Sequence, residues 1–179
     1  WAGRNARLPA PPPQEKLAEE LVAWLIRAVA AVPPRPATLL HCDFKLDNLL
    51  LTEEDLEPAA LLDWDMCTRG DPLFDLATLL SYWVEPGDPP AMHDLWQMPS
   101  VTAGFPGRTA MTEAYAQASG QNLEGLTALR VLCLFKLGVI FRQLHARWRE
   151  GAIGDARYAG FEELGLGIIE FAFEERTKG

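Results

Sequence analysis

Leu40-His41-Cys42-Asp43-Phe44-Lys45-Leu46-Asp47-Asn48-Leu49-Leu50 sets a polar octapeptide between apolar runs, and fifteen residues beyond Asn48 a second acidic cluster, Asp63-Trp64-Asp65, closes another apolar run. Thr38-Leu39-Leu40, Leu49-Leu50-Leu51 and Ala59 to Trp64 are each too short for a helix and are separated by polar loops, so they predict small strands flanking the loop His41 to Asn48. The side chains in that loop then project from a turn held at both ends. This is the local geometry in which a few residues can be aimed at one reacting centre.

The residue types point to phosphoryl transfer. That reaction asks little covalent chemistry of a protein; it needs a carboxylate beside the acceptor hydroxyl and oxygen ligands for a hard cation held against the phosphates. Asp43 supplies the first, orienting the hydroxyl or taking its proton. Asn48, five residues on, offers a neutral amide oxygen to magnesium, and Asp63 offers a carboxylate bridging metal and phosphates. Lys45 is placed to offset charge on the transferred group. Asp65, two residues from Asp63, shares its face if the backbone is extended, and supports the metal indirectly. Asp63-Trp64-Asp65 alone is also a DxD, a pattern met where metal-bound nucleotide sugars or phosphate esters are handled, but that reading leaves Asp43 and Asn48 without a role.

Outward from the loop the chain reads as mostly helical. Leu17, Leu21, Leu25 and Val29 recur at helical spacing from Gln14 until Pro33 and Pro34. The prolines of residues 1–13 predict an extended connector. Gly70-Asp71-Pro72 makes a turn into a helix over Leu73 to Val84. Residues 85–108 form a long, Pro- and Gly-containing connection of the kind that carries function or moves. Helices over Thr109 to Ser119, Leu126 to Arg149 and Tyr158 to Glu175 complete the chain. Its 179 residues, 49% hydrophobic, suffice for one core.

A formal charge of -9 argues against binding a nucleic-acid backbone and suits a cationic, small-molecule or metal-nucleotide ligand. No stretch has membrane-spanning character, and Trp1-Ala2-Gly3-Arg4 begins no signal peptide. Cys42, Cys67 and Cys133 lack metal-binding or disulfide spacing, as expected of free thiols in a reducing cytoplasm.

The ordered motifs Leu40 to Leu50, Leu62-Asp63-Trp64-Asp65 and Gly70-Asp71-Pro72-Leu73-Phe74-Asp75-Leu76-Ala77 resemble the aminoglycoside phosphotransferase and choline kinase family, and are most similar to the branch fused to, or named after, acyl-CoA dehydrogenases. The resemblance implies an α+β, mostly α, protein kinase-like C-terminal lobe over residues 14–179, with a small β element around the catalytic loop and a helical subdomain. It implies an ATP- and Mg2+-dependent transfer of the γ-phosphoryl group to a hydroxyl of an aminoglycoside-like compound or a hydroxyacyl metabolite. The family's nucleotide-covering loop and phosphate-binding lysine belong to an N-terminal lobe, expected in the same polypeptide; without it the 179 residues are expected to be inactive. The alternative is an incomplete, non-catalytic lobe that binds ligand.

Among the remaining residues, His41 is expected to brace the loop rather than carry protons, and Asp75, set in an apolar run, to accept hydrogen bonds from the loop backbone, since burying it unpaired would cost several kcal/mol. Cys42 stands where the family usually has glycine. Asp47 is a loop cap, and His93 and His145 are packing or surface residues. Arg142, Arg147, Arg149 and Glu150 read as a solvated helix end. Trp96 is a candidate to touch the acceptor.

Overall fold

The structure, a computed structural model, describes residues 1–95 and 97–178, and so leaves Trp96 outside the described residues. Its seven α-helices and four strands are α1 (Ala2–Asn5), α2 (Pro12–Ala30), β1 (Thr38–Leu40), β2 (Leu49–Leu51), β3 (Pro58–Leu61), β4 (Thr68–Gly70), α3 (Leu73–Tyr82), α4 (Pro90–His93), α5 (Arg108–Ser119), α6 (Leu126–Arg149) and α7 (Phe161–Glu175). The fold is mostly helical α+β, as the sequence led us to expect. Among the described residues no helix is long and apolar enough to cross a membrane.

The strands make two antiparallel pairs. β1 runs against β4 with Thr38 opposite Gly70 and Leu40 opposite Thr68. β2 runs against β3 with Leu49 opposite Leu61, and the register shifts at Leu50/Leu51. The catalytic-type loop thus leaves one pair and enters the other. Both of its ends are held by ladder hydrogen bonds.

α3 is buried along nearly its whole length. Leu73, Leu76, Ala77, Leu79 and Leu80 are buried, and so are Thr78 and Ser81. A helix buried on nearly every side must satisfy its own polar groups. Thr78 donates to the Phe74 carbonyl at 2.8 Å and Ser81 to that of Thr78 at 2.7 Å. At its entrance the Asp71 carboxylate accepts from the Leu73 amide at 2.9 Å and pairs with Arg35 at 3.0 Å.

α6 packs along α3, and α2, α6 and α7 pack on one another around Leu21, Leu25, Val131, Phe135, Ile168 and Ile169. Each such apolar side chain contributes about 1.5–3 kcal/mol on burial. α6 and α7 approach unusually closely: a Cβ built on Gly138 would lie 2.6 Å from the Gly165 carbonyl oxygen, and one on Gly165 2.6 Å from that of Gly138. Only glycine at both positions permits this crossing.

Two expectations from the sequence are corrected here. Residues 1–13 are not simply extended: α1 forms a helical turn, α2 already begins at Pro12, where a first-turn proline loses no needed donor, and Leu8 packs against the main core. Arg142 is not at a solvated helix end. It is 1% exposed, and its guanidinium donates to Asn5 Oδ1 at 2.7 Å, the Pro9 carbonyl at 2.7 Å and Glu162 Oε1 at 2.9 Å. The Pro-rich segment supplies acceptors that a buried guanidinium requires.

Candidate active site

The loop between β1 and β2 is anchored from below by Asp75 on α3. Asp75 Oδ2 accepts from the His41 amide at 2.8 Å and Oδ1 from the Cys42 amide at 2.7 Å. One carboxylate therefore satisfies two successive amides that a turn would otherwise leave without partners. This forces Cys42 into left-handed backbone, φ 65°, a region that side chains other than glycine's enter at a cost of about 1–3 kcal/mol. The Cys42 thiol is pushed up by burial and then by the charge of Asp75. Burial likewise pushes the Cys133 thiol to about 11. Neither has the environment of a nucleophile, and Cys42, Cys67 and Cys133 are all unpaired.

His41 is buried and ties the two acidic segments together. Its Nδ1 accepts from the Asp43 amide at 3.2 Å, so Nε2 carries the proton and donates to the Leu62 carbonyl at 2.7 Å. Its ring lies 4.7 Å from that of Trp64. With both nitrogens engaged in the scaffold, the imidazole has no free face for proton transfer.

Asp43 is where the polar groups converge. Its Oδ2 pairs with Lys45 Nζ at 3.1 Å and accepts from Asn48 Nδ2 at 3.3 Å, while the same Asn48 amide donates to the Asp43 carbonyl at 2.9 Å. Its Oδ1 accepts from the Tyr82 hydroxyl at 2.8 Å. Lys45 Nζ also sits 5.6 Å over the Tyr82 ring and 3.5 Å from Gln97 Oε1. The 85–107 connection reaches the same place through Met98, whose sulfur accepts from the Leu46 amide at 3.4 Å.

Asn48 directs the metal question. Its NH2 group is spent on Asp43, which leaves its amide oxygen as the atom available to a cation. Its own carbonyl accepts from the Leu62 amide at 2.8 Å, which sets Asp63 directly beyond the pairing of β2 with β3. Asp63 is exposed and left-handed, φ 61°, ψ 61°, and opens a 3-10 turn over Trp64–Met66. The extended backbone on which Asp63 and Asp65 were expected to share a face is therefore replaced by a turn. Among the described residues no three His, Cys, Asp or Glu side chains assemble a metal cage. An amide oxygen and one carboxylate nevertheless suit a hard cation that takes its other ligands from phosphate and water.

Sequence reasoning missed Tyr82. A signal was present: Tyr82 follows Asp75 by seven residues, two helical turns, and so shares the face of α3 that carries Asp75 to the loop. Volume alone does not mark the site. A cavity of about 890 Å3 between α4 and α7, lined by Pro90, Asp94, Phe161, Glu163 and Glu170, contains none of these residues.

Comparison with known proteins agrees with this geometry. The sequence of residues 1–130 matches the phosphotransferase enzyme family, APH. Mouse acyl-CoA dehydrogenase family member 11 is 30% identical over 135 residues, covering 74% of this chain and 17% of that protein. Mouse acyl-CoA dehydrogenase family member 10 is 27% identical over 162 residues, covering 89% and 15%. The chain thus spans about a sixth of the length of these curated relatives. A crystal structure of a provisionally named aminoglycoside phosphotransferase from Ralstonia eutropha superimposes with a TM-score of 0.73 at 20% identity, over 95% of this chain and 50% of that one. The fold is therefore that of one half of a kinase-like phosphotransferase, and the match to acyl-CoA dehydrogenase family member 10, which covers 89% of the chain, includes the loop that holds Asp43. The chain belongs to the phosphotransferase enzyme family.

Proposed function

We propose that this chain is the catalytic lobe of a magnesium- and ATP-dependent phosphotransferase that moves the γ-phosphoryl group to a hydroxyl of a small molecule. The observation that carries the reading is the convergence on Asp43 of Lys45 and Asn48; it is supported by the bond from the Leu62 amide to the Asn48 carbonyl, one residue before Asp63. Asp43 orients the acceptor hydroxyl and receives its proton as the oxygen attacks phosphorus. Lys45 offsets negative charge on the transferred group. Asn48 and Asp63 would hold the cation, whose chemistry is to neutralise charge on the phosphate oxygens.

The nucleotide needs a second surface. Lys16, the one lysine before His41, is largely exposed on α2 and near Glu20, remote in role from a phosphate contact. The two strand pairs and the turn after Asp63 expose Leu39, Leu50, Leu62, Trp64 and Met66, apolar side chains of a kind that marks an interaction site. We assign those side chains to contact with a nucleotide-binding lobe of the same polypeptide. For the acceptor, the names of the relatives favour a hydroxyacyl metabolite over an aminoglycoside-like compound.

The test is phosphoryl transfer by the full-length protein with ATP and magnesium against hydroxyacyl thioesters and aminoglycosides. Asp43→Asn is expected to lower turnover by about 10²–10⁴-fold. Turnover unaltered by Asp43→Asn would sink the assignment.

A further inference from the structure

We propose that Tyr82 is a positioning residue for Asp43, holding one carboxylate oxygen so that the other is presented, with Lys45, to the reacting groups. The inference rests on the phosphotransfer reading above and adds a residue to it. Three observations on different atoms support it. The Tyr82 hydroxyl donates to Asp43 Oδ1 at 2.8 Å, whereas Lys45 and Asn48 both engage Oδ2. The Tyr82 ring carries the Lys45 ammonium at 5.6 Å, so a single side chain touches both members of the ion pair. Tyr82 is also packed against Leu79, Trp83 and Met98 and belongs to the same buried helix as Asp75, so its hydroxyl is fixed by the core rather than by the loop it serves.

A carboxylate on a loop has two torsions to fix. Asp75 fixes the backbone beneath Asp43 through the amides of His41 and Cys42. That leaves the side-chain rotation of Asp43, and a hydroxyl from a rigid helix removes it. The phenol is a donor at any working pH, because burial and then the negative charge of Asp43 push its ionisation far above the ordinary value. A hydrogen bond to a charged group that acts in positioning corresponds to about a 10- to 100-fold effect on rate.

The experiment uses the full-length protein. With the acceptor found in the screen above, Tyr82→Phe is expected to lower kcat by about 10- to 100-fold while the KM values for ATP and acceptor stay within about threefold. Tyr82→Leu, which also removes the ring beneath Lys45, is expected to lower kcat further. The contact itself is read without turnover by 19F NMR of the 3-fluorotyrosine-labelled protein, the Tyr82 resonance being assigned by its loss in Tyr82→Phe. Asp43→Asn should move that resonance and leave those of Tyr115 and Tyr158 in place. An unmoved resonance, or a Tyr82→Phe enzyme with wild-type kcat, overturns the proposal. A moved resonance in a protein that turns over none of the acceptors sinks the phosphotransfer reading instead and reduces the contact to a structural hydrogen bond, which equally overturns the positioning role.

Discussion

Cys42 donates its backbone amide to Asp75 Oδ1 at 2.7 Å from a left-handed conformation, φ 65°, so the carboxylate that anchors the loop also imposes the strain in it. Relief of that strain on Cys42→Gly stabilises by about 1–2 kcal/mol. It is offset by about 0.4–1 kcal/mol of added freedom in the unfolded chain and by loss of a buried sulfur. Cys42→Gly is therefore expected to unfold in urea within about 1 kcal/mol of the parent, and Cys42→Val, β-branched in the same conformation, to lose about 2 kcal/mol or more. Equal losses for the two variants would mean that side-chain packing, not backbone conformation, governs the position.

Arg142 joins the start of the chain to its helical tail. Arg142→Ala removes the guanidinium from Asn5, from the Leu8 and Pro9 carbonyls and from Glu162. Breaking a buried pair costs about 3–5 kcal/mol, and Glu162, 31% exposed on its side chain, rehydrates, which places the expected loss at the lower end. Limited proteolysis should then cut within residues 5–11 while α6 and α7 remain protected. Unchanged proteolysis would show that Leu8 packing alone holds the segment.

These two sites also separate what the sequence disclosed from what it did not. The strands about the loop, the helix of Asp75 and the long apolar helix ending at Arg149 are legible because local periodicity and turn residues set them. The order Asp43, Asn48, Asp63 is legible because the chemistry dictates residue types at fixed spacing. Arg142 was not, since its partners lie more than a hundred residues away at Asn5 and Pro9 and at no helical spacing from it. The conformation of Asp63 was hidden for another reason: an aspartate in left-handed backbone carries none of the glycine signal that announces such a turn. The turn that replaces extended backbone between Asp63 and Asp65 was missed with it.

Asp63 and Asn48 make separable contributions to the cation. Asp63→Ala removes the charged ligand and leaves Asp43, Lys45 and Tyr82 in place. The magnesium concentration for half-maximal ATP binding in the full-length protein, followed by calorimetry, is expected to rise by more than the roughly 10–100-fold that loss of an outer-shell partner costs. Asn48→Ala is expected to weaken it less but to lower turnover as well, because the same amide donates to Asp43. A metal requirement untouched by Asp63→Ala would remove Asp63 from the site.

Glu175, at the end of α7, gives the helical half an acid-sensitive contact. Burial favours its neutral form, but hydrogen bonds from Lys178 and Arg130 outweigh burial and hold its carboxyl below the usual value. Arg130 in turn lies 5.6 Å over the Phe171 ring, so the pair is set against the core. A carboxyl lowered by folding adds stability above its unfolded value, about 4.3, and that stability is lost as pH falls from there through the folded value. Glu175→Gln leaves the shape and one acceptor but no charge, and is expected to cost about 1.5–3 kcal/mol at pH 7. In urea titrations from pH 7 to pH 3 the gap between the parent and Glu175→Gln should begin to narrow as pH falls below the unfolded value, about 4.3, and close further as the folded carboxyl takes up its proton. A gap that does not narrow at all between about pH 5 and pH 3 would assign the loss to packing at the α7 terminus rather than to the ion pair with Arg130.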